Sequence, residues 1–204
     1  WVLRNVGARE AAVDAHQEAL ACADGDGTPE VRIAALEDLA EDRLTAADPD
    51  TAATLLATAA EGLVGDLVFG WRLEMKHTLL RARGALLAGA VEDALGLASG
   101  LAAGADRIGV PRYAATARLL VHQATAAAGD PVDLDAAWSD LGAVEGAVAL
   151  EAWWWAAETG VALRQQRWID RAELLVARLA DAAGTYGDSL RADASRRLEG
   201  WRLR

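Results

Sequence analysis

Residues that stop helices recur along this chain so regularly that no stretch much longer than about twenty residues runs without one. Between these Gly, Pro and Asp breaks, apolar residues return every third or fourth position: Leu79, Leu80, Ala82, Leu86 and Leu87 in one stretch, Leu174, Leu175 and Leu179 around Arg178 in another. The pattern predicts about ten helices, over 8–23, 29–47, 50–64, 67–88, 90–107, 111–128, 132–147, 149–166, 168–184 and 188–203. Three starts carry capping chemistry, Thr28-Pro29-Glu30, Asp48-Pro49-Asp50 and Asp130-Pro131, because a first-turn proline loses no hydrogen bond there. Connections this short make successive helices antiparallel.

Composition points the same way. Of the 204 residues 53% are hydrophobic, enough for a sizeable core, and they are mostly Ala and Leu, with one Phe and four Pro, which favours helix over strand. The formal charge of −11 argues against nucleic-acid binding, which needs clustered basic groups, and signals solubility. Lys76 is the one lysine beside nineteen arginines, a bias that reads as a high-GC, actinobacterial coding sequence. Cys22 stands alone, so no internal disulfide or thiolate cluster forms; it reads as a small apolar helix residue and suits a cytoplasmic location. The longest weakly charged run, Leu141 to Ala157, is broken by Glu145 and Glu151, and neither a membrane span nor a signal peptide is expected. Starting at Trp1 without Met, the chain reads as a piece of something longer.

A repeat emerges from comparing pairs of segments. Ala53, Ala94, Ala137 and Ala172 stand near the start of each second helix, 41, 43 and 35 residues apart, and Trp71, Tyr113 and Trp153 recur in the first helices, 42 and 40 apart. Such periods mark solenoids, where small residues let paired helices approach and large ones fill the groove between them. In the pair 75–108, Ala82, Ala85, Gly89, Ala94, Ala98 and Leu101 resemble the tetratricopeptide-repeat (TPR) motif, as do Gly160, Leu163, Ala172, Val176 and Leu179 in 153–184. The pair 111–147 fits with about two residues inserted after Gly129, and 29–64 departs from the motif. The resemblance implies an all-α fold, a right-handed α-α superhelix forming a single domain over 1–204, with pairs 29–64, 67–107, 111–147 and 149–184 and a terminal helix 188–203. In style the chain is similar to superhelical regions of large actinobacterial transcriptional regulators, which sit beside ATPase and DNA-binding domains; neither of those is in this sequence.

Catalytic chemistry has little to stand on. His16, His77 and His122 lie on three segments with no second ligand at helical spacing, so neither a metal nor a cofactor is expected. Asp24 to Glu30, "DGDGTPE", has Pro29 where a calcium loop needs its sharp-turn Gly and Ala35 where it needs Glu, and reads as a flexible turn with a helix cap. No phosphate-binding Gly pattern and no G-x-S-x-G elbow occurs; Gly84, Gly89, Gly142 and Gly146 read as close-packing positions. The acidic pairs Glu37/Asp38, Glu41/Asp42 and Glu92/Asp93 point about 100° apart on a helix and read as solvated faces or caps.

The run Trp153, Trp154, Trp155 cannot share one apolar stripe, so at least one indole must face something other than ordinary core. In the TPR-like register the groove-facing positions are Lys76, Leu79 and Arg83, then Leu119 and Gln123, then Trp154, Ala157 and Arg164. Trp153 and Trp155 then pack on flanking helices, and Trp154 is either a groove platform between Arg83 and Arg164 or core like its neighbours. Aromatic plus Arg suits a protein or peptide carrying an acidic or carboxylate group. The expected function is thus a non-catalytic protein- or peptide-binding module of a bacterial regulator, with Lys76, Arg83, Gln123, Trp154 and Arg164 as its groove residues. The alternatives are self-association into a homodimer or scaffold, and small-molecule sensing in a Trp-lined pocket. Arg191, Asp193, Arg196, Arg197 and Glu199 read as a polar cap on the last helix, which leaves the N-terminal end for assembly.

Overall fold

A computed structural model describes residues 2–144 and 150–202. Among them all regular structure is helical: α1 (Val2–Asn5), α2 (Arg9–Asp26), α3 (Pro29–Thr45), α4 (Pro49–Gly62), α5 (Gly70–Leu87), α6 (Val91–Ile108), α7 (Pro111–Ala127), α8 (Leu134–Ala143), α9 (Leu150–Ala162), α10 (Gln166–Ala182), and α11 (Gly187–Arg202) after a short 3-10 turn. The protein is all-α. Each predicted segment holds a helix, and α1 is additional. No described helix is long and apolar enough to cross a membrane.

The breaks work by one recurring geometry. Gly89, Gly109 and Gly129 adopt left-handed backbone after α5, α6 and α7. The next N–H then reaches back five residues: Ala90 to the Ala85 carbonyl, Val110 to Ala105 and Asp130 to Thr125, at 2.9, 2.9 and 3.1 Å. Ala47 and Arg164 take the same turn with φ of 58° and 54°, although a side chain there is strained. The Asp130-Pro131 start is corrected: Asp130 closes α7, and Asp133 caps α8 by accepting from the Ala136 N–H. Asp48 caps α4 as expected, accepting from Thr51 N–H at 3.1 Å, whereas Thr28 makes no side-chain cap. The "DGDG" stretch is mostly helix, since α2 runs to Asp26 and the turn falls on Gly27. Cys22 is exposed on α2 instead of packed.

The chain forms two compact units, Trp1–Ala12 with Val148–Arg204 (the terminal unit) and Val13–Ala147 (the central unit). In the central unit α3 packs on α4 and α5, α5 on α4, α6 and α7, and α7 on α6 and α8, so α3, α5 and α7 form one row with the even helices set between them. Its core is layered: Ile33, Leu36, Ala59 and Leu73, then Ala40, Leu44, Ala52, Leu56 and Leu80, then Leu101, Ala102 and Ala117. Each fully buried Leu contributes roughly 2 kcal/mol. Of the four alanines at the expected spacing, Ala94, Ala137 and Ala172 are buried, whereas Ala53 is exposed and Ala52 beside it takes the inward position. Trp71 is 45% exposed, because α5 starts at Gly70 and Leu73 takes the inward position; Tyr113 is buried as expected. A Cβ added at Gly84 would fall 3.5 Å from Leu44 Cδ2, an ordinary contact, nothing lies near one at Gly89 or Gly142, and Gly146 lies outside the described residues.

In the terminal unit α10 packs against both α9 and α11. Gly160 of α9 lies against the Trp168 side chain so closely that a Cβ would fall 2.9 Å from its Cγ. Trp168 is buried, donates its indole N–H to Gln165 at 2.8 Å, and is flanked by the guanidinium groups of Arg167 and Arg171.

Candidate functional site

Three of the expected groove residues stitch the central unit's first row together. Lys76 on α5 donates to Asp38 of α3 at 2.6 Å and lies 3.7 Å from Glu41. Arg83, one helix row further along, reaches the Gln123 side-chain oxygen of α7 at 3.5 Å; these two are only 5% and 6% exposed. They tie α3 to α5 and α5 to α7; burial closes off Arg83 and Gln123, while Lys76 keeps 21% of its side chain exposed.

The other two lie in the terminal unit. Trp154 as an exposed platform is corrected: it is 2% exposed, with Arg197 of α11 4.9 Å over its ring and Trp201 edge-on at 5.7 Å. Trp153 and Trp155 are buried too. Arg164 is exposed at the left-handed turn after α9. The acidic and basic residues of the last helix are likewise not a simple outer cap, since Asp193 is buried and Arg197 largely so. Arg197 grips Glu151 with two hydrogen bonds, 3.1 and 2.7 Å, and donates Nε to Asp193 at 3.1 Å, while Arg9 meets Asp193 at 2.6 Å. Burial pulls the Glu151 carboxyl upward, but attraction to Arg197, Arg9 and Arg4 outweighs it and holds the group below the ordinary range. This is a structural network of matched charges.

The central unit contains a different arrangement. A cleft of about 850 Å³ runs between α4, α5 and α6, walled by small side chains including Ala57, Ala60, Ala85 and Gly96. His77 and Arg81, one turn apart on α5, line it together with Asp50, Glu92 and Asp93. Behind His77, Glu37 of α3 is 0% exposed, and neither carboxyl oxygen has a hydrogen-bond partner. Its Oε1 lies 3.8 Å from His77 Nδ1, which is also buried and unbonded. Desolvation raises the Glu37 pKa to about 8, against the pull of Lys76 and Arg72 and with the push of Asp38 and Glu41. Desolvation, then Arg81, lowers that of His77. Both groups are therefore neutral at neutral pH. The solvated-face reading of Glu37/Asp38 and Glu41/Asp42 is corrected, since Glu37 and Glu41 are buried. The sequence held one signal for this: Glu37 sits four residues after Ile33 and three before Ala40, on the apolar stripe of α3.

No protein family, no curated protein and no solved structure matches the chain. The site therefore stands on its own chemistry.

Proposed function

We propose that this chain is a non-catalytic, TPR-like helical-repeat module that binds a protein or peptide segment, as the interaction part of a larger bacterial regulator. The alternation of α3, α5 and α7 with α4, α6 and α8 supports a superhelical reading of the repeat, and its right hand is what the TPR resemblance implies. The single observation that carries the binding role is the cleft: about 850 Å³, walled by Ala and Gly so that a partner's backbone can come close, with charged groups of both signs along it. The exposed single Cys22 suits a reducing compartment such as the cytoplasm.

A plug tests it. Gly96 lines the cleft and a Cβ there meets nothing within 4 Å, so Gly96→Phe is the substitution that places a ring in the cleft with no clash at its Cβ. Peptides found to bind the wild type by fluorescence polarisation lose at least about tenfold in affinity on Gly96→Phe at unchanged thermal stability, since about 1.4 kcal/mol of contact suffices. Peptides indifferent to the plug overturn the assignment of the cleft.

Self-association is favoured by one separate observation. The α4–α5 connection exposes Val64, Val68 and Phe69, and Trp71 follows at the start of α5. Exposed apolar clusters of this kind mark interaction surfaces. A mass by light scattering that rises with concentration, and stops rising in Val68→Ser/Phe69→Ser, establishes it; a constant monomer excludes it.

A further inference from the structure

We propose that the cleft binds its partner through a carboxylate held by His77 and Arg81, and that buried Glu37 supplies the proton that makes His77 cationic. The inference rests on the cleft reading above and adds its chemistry.

Arg81 and His77 point from one helical face into the same cleft, and among the described residues Arg81 makes no hydrogen bond or ion pair. An Arg and an imidazolium one turn apart make a two-pronged donor for a carboxylate. His77 alone is ill suited to this, since its ring is buried, is neutral and has no acceptor at Nδ1 closer than Glu37 at 3.8 Å. Buried polar atoms are nearly always hydrogen-bonded, so Glu37 Oε1 and His77 Nδ1, both unbonded and 3.8 Å apart, with Glu37 Oε2 unbonded as well, form an arrangement that another state completes. That state is reached by proton transfer. As a carboxylate arrives at the cleft face of His77, the O–H bond of Glu37 breaks and an N–H bond forms at Nδ1. The neutral acid and neutral imidazole become a carboxylate–imidazolium pair that closes into a charge-assisted hydrogen bond. The pair's net charge is unchanged, and no proton is drawn from solution while Glu37 holds its own.

The surrounding charges fit this cycle. On α5, Lys76 and Arg72 favour the Glu37 carboxylate once formed, opposed by Asp38 and Glu41 on α3. Lys76 is engaged with Asp38 and Glu41, and His16 of α2 with Asp38 and Asp42. From α7, α5 meets Gln123, an uncharged acceptor of Arg83. Within the cleft Asp50 of α4 and Glu92 and Asp93 of α6 repel further negative charge. The favoured ligand is therefore one carboxylate on an otherwise small and apolar segment, not an acidic tract.

The test uses the whole chain and three probes: acetyl-trialanine with a free C-terminus, its C-terminal amide, and acetyl-Ala-Glu-Ala-amide. His77 ring nitrogens are followed by NMR, and affinity is measured across pH. Either carboxylate probe should convert His77 to imidazolium near pH 7, and which one does so tells a chain terminus from a side chain; the plain amide should not. Wild-type affinity stays flat from about pH 6 to about 7.5 and falls about tenfold per unit above about 8, where Glu37 has lost its proton. In Glu37→Gln the proton must come from solution, so affinity falls as pH rises past the lowered His77 pKa and is at least about tenfold weaker at about pH 7.5. The wild-type ring signal alone decides the matter should that variant not fold. If acid and amide probes bind alike with His77 neutral, or Glu37→Gln keeps the wild-type pH profile, the proton inference falls while the cleft stands. If no probe perturbs the Gly96 and Ala57 amides, both fall.

Discussion

Glu151 in the terminal unit and Glu37 in the central unit are both helical glutamates withdrawn from water, 6% and 0% exposed, yet one is gripped by a guanidinium and the other faces a neutral imidazole without a hydrogen bond. Burial acts on both in the same direction. In the terminal unit Arg197, Arg9 and Arg4 overcome it and the carboxylate stays charged; in the central unit Lys76 and Arg72 are too few against desolvation and two neighbouring acids, and the proton stays on. A buried carboxyl matched by opposite charges stays ionised and ties its helices together, whereas one without enough of them keeps its proton.

The comparison is broken most severely by taking away the partner. Arg197→Met leaves Glu151 and Asp193 buried without their shared guanidinium and should cost about 3–5 kcal/mol, read from amide exchange in α9 and α11. Adding Glu151→Met to it should recover much of the loss. A cost under about 1 kcal/mol would place the network in water.

The pH dependence sharpens the contrast. Glu37 has a raised folded pKa, so its contribution is fully present below its unfolded value near 4.5 and declines, by up to about 1.4 kcal/mol per unit, as pH climbs to about 8. Glu37→Gln should abolish that slope and be a few kcal/mol more stable than wild type at pH about 8. Glu151, with its folded pKa lowered, behaves oppositely: its stabilisation is present above about 4.5 and is lost as pH falls through the folded value. His77, also lowered, destabilises the central unit as pH falls below about 6.5. Exchange in the two units measured across pH separates these trends.

Smaller effects come from backbone fit. Gly160→Ala drives a Cβ into Trp168 and should cost about 1–3 kcal/mol in the terminal unit. Arg164→Gly and Ala47→Gly relieve left-handed strain, one in each unit, and should each raise stability by about 0.5–1 kcal/mol in a urea titration. No gain at either position would mean that the turn is formed differently.

The ten long helices were legible because Gly89, Gly109, Gly129 and the prolines do their local work wherever the chain goes. Ala47 and Arg164 make the same turn without a glycine and carry no such signal. The triple tryptophan posed the right question, since three adjacent indoles must face in several directions. Its answer needed tertiary partners: Trp154 meets the flat guanidinium of Arg197, some forty residues on. Lys76, Arg83 and Gln123 lie on α5 and α7 and bond to neighbouring helices of the row, which periodicity alone cannot tell from facing a groove. Glu37 was hidden by Asp38 beside it, because adjacent acids suggest a wet surface although they point to different sides of a helix.

The opposed states of the two glutamates are tested most directly by a 13C carboxyl titration of the glutamates in the intact chain, with Glu37→Gln and Glu151→Gln assigning the signals. Glu37 should titrate with a midpoint of about 8 while Glu151 stays ionised to below 4.5. If both titrate together near 4.5, Glu37 is an ordinary solvated carboxylate and holds no proton for His77.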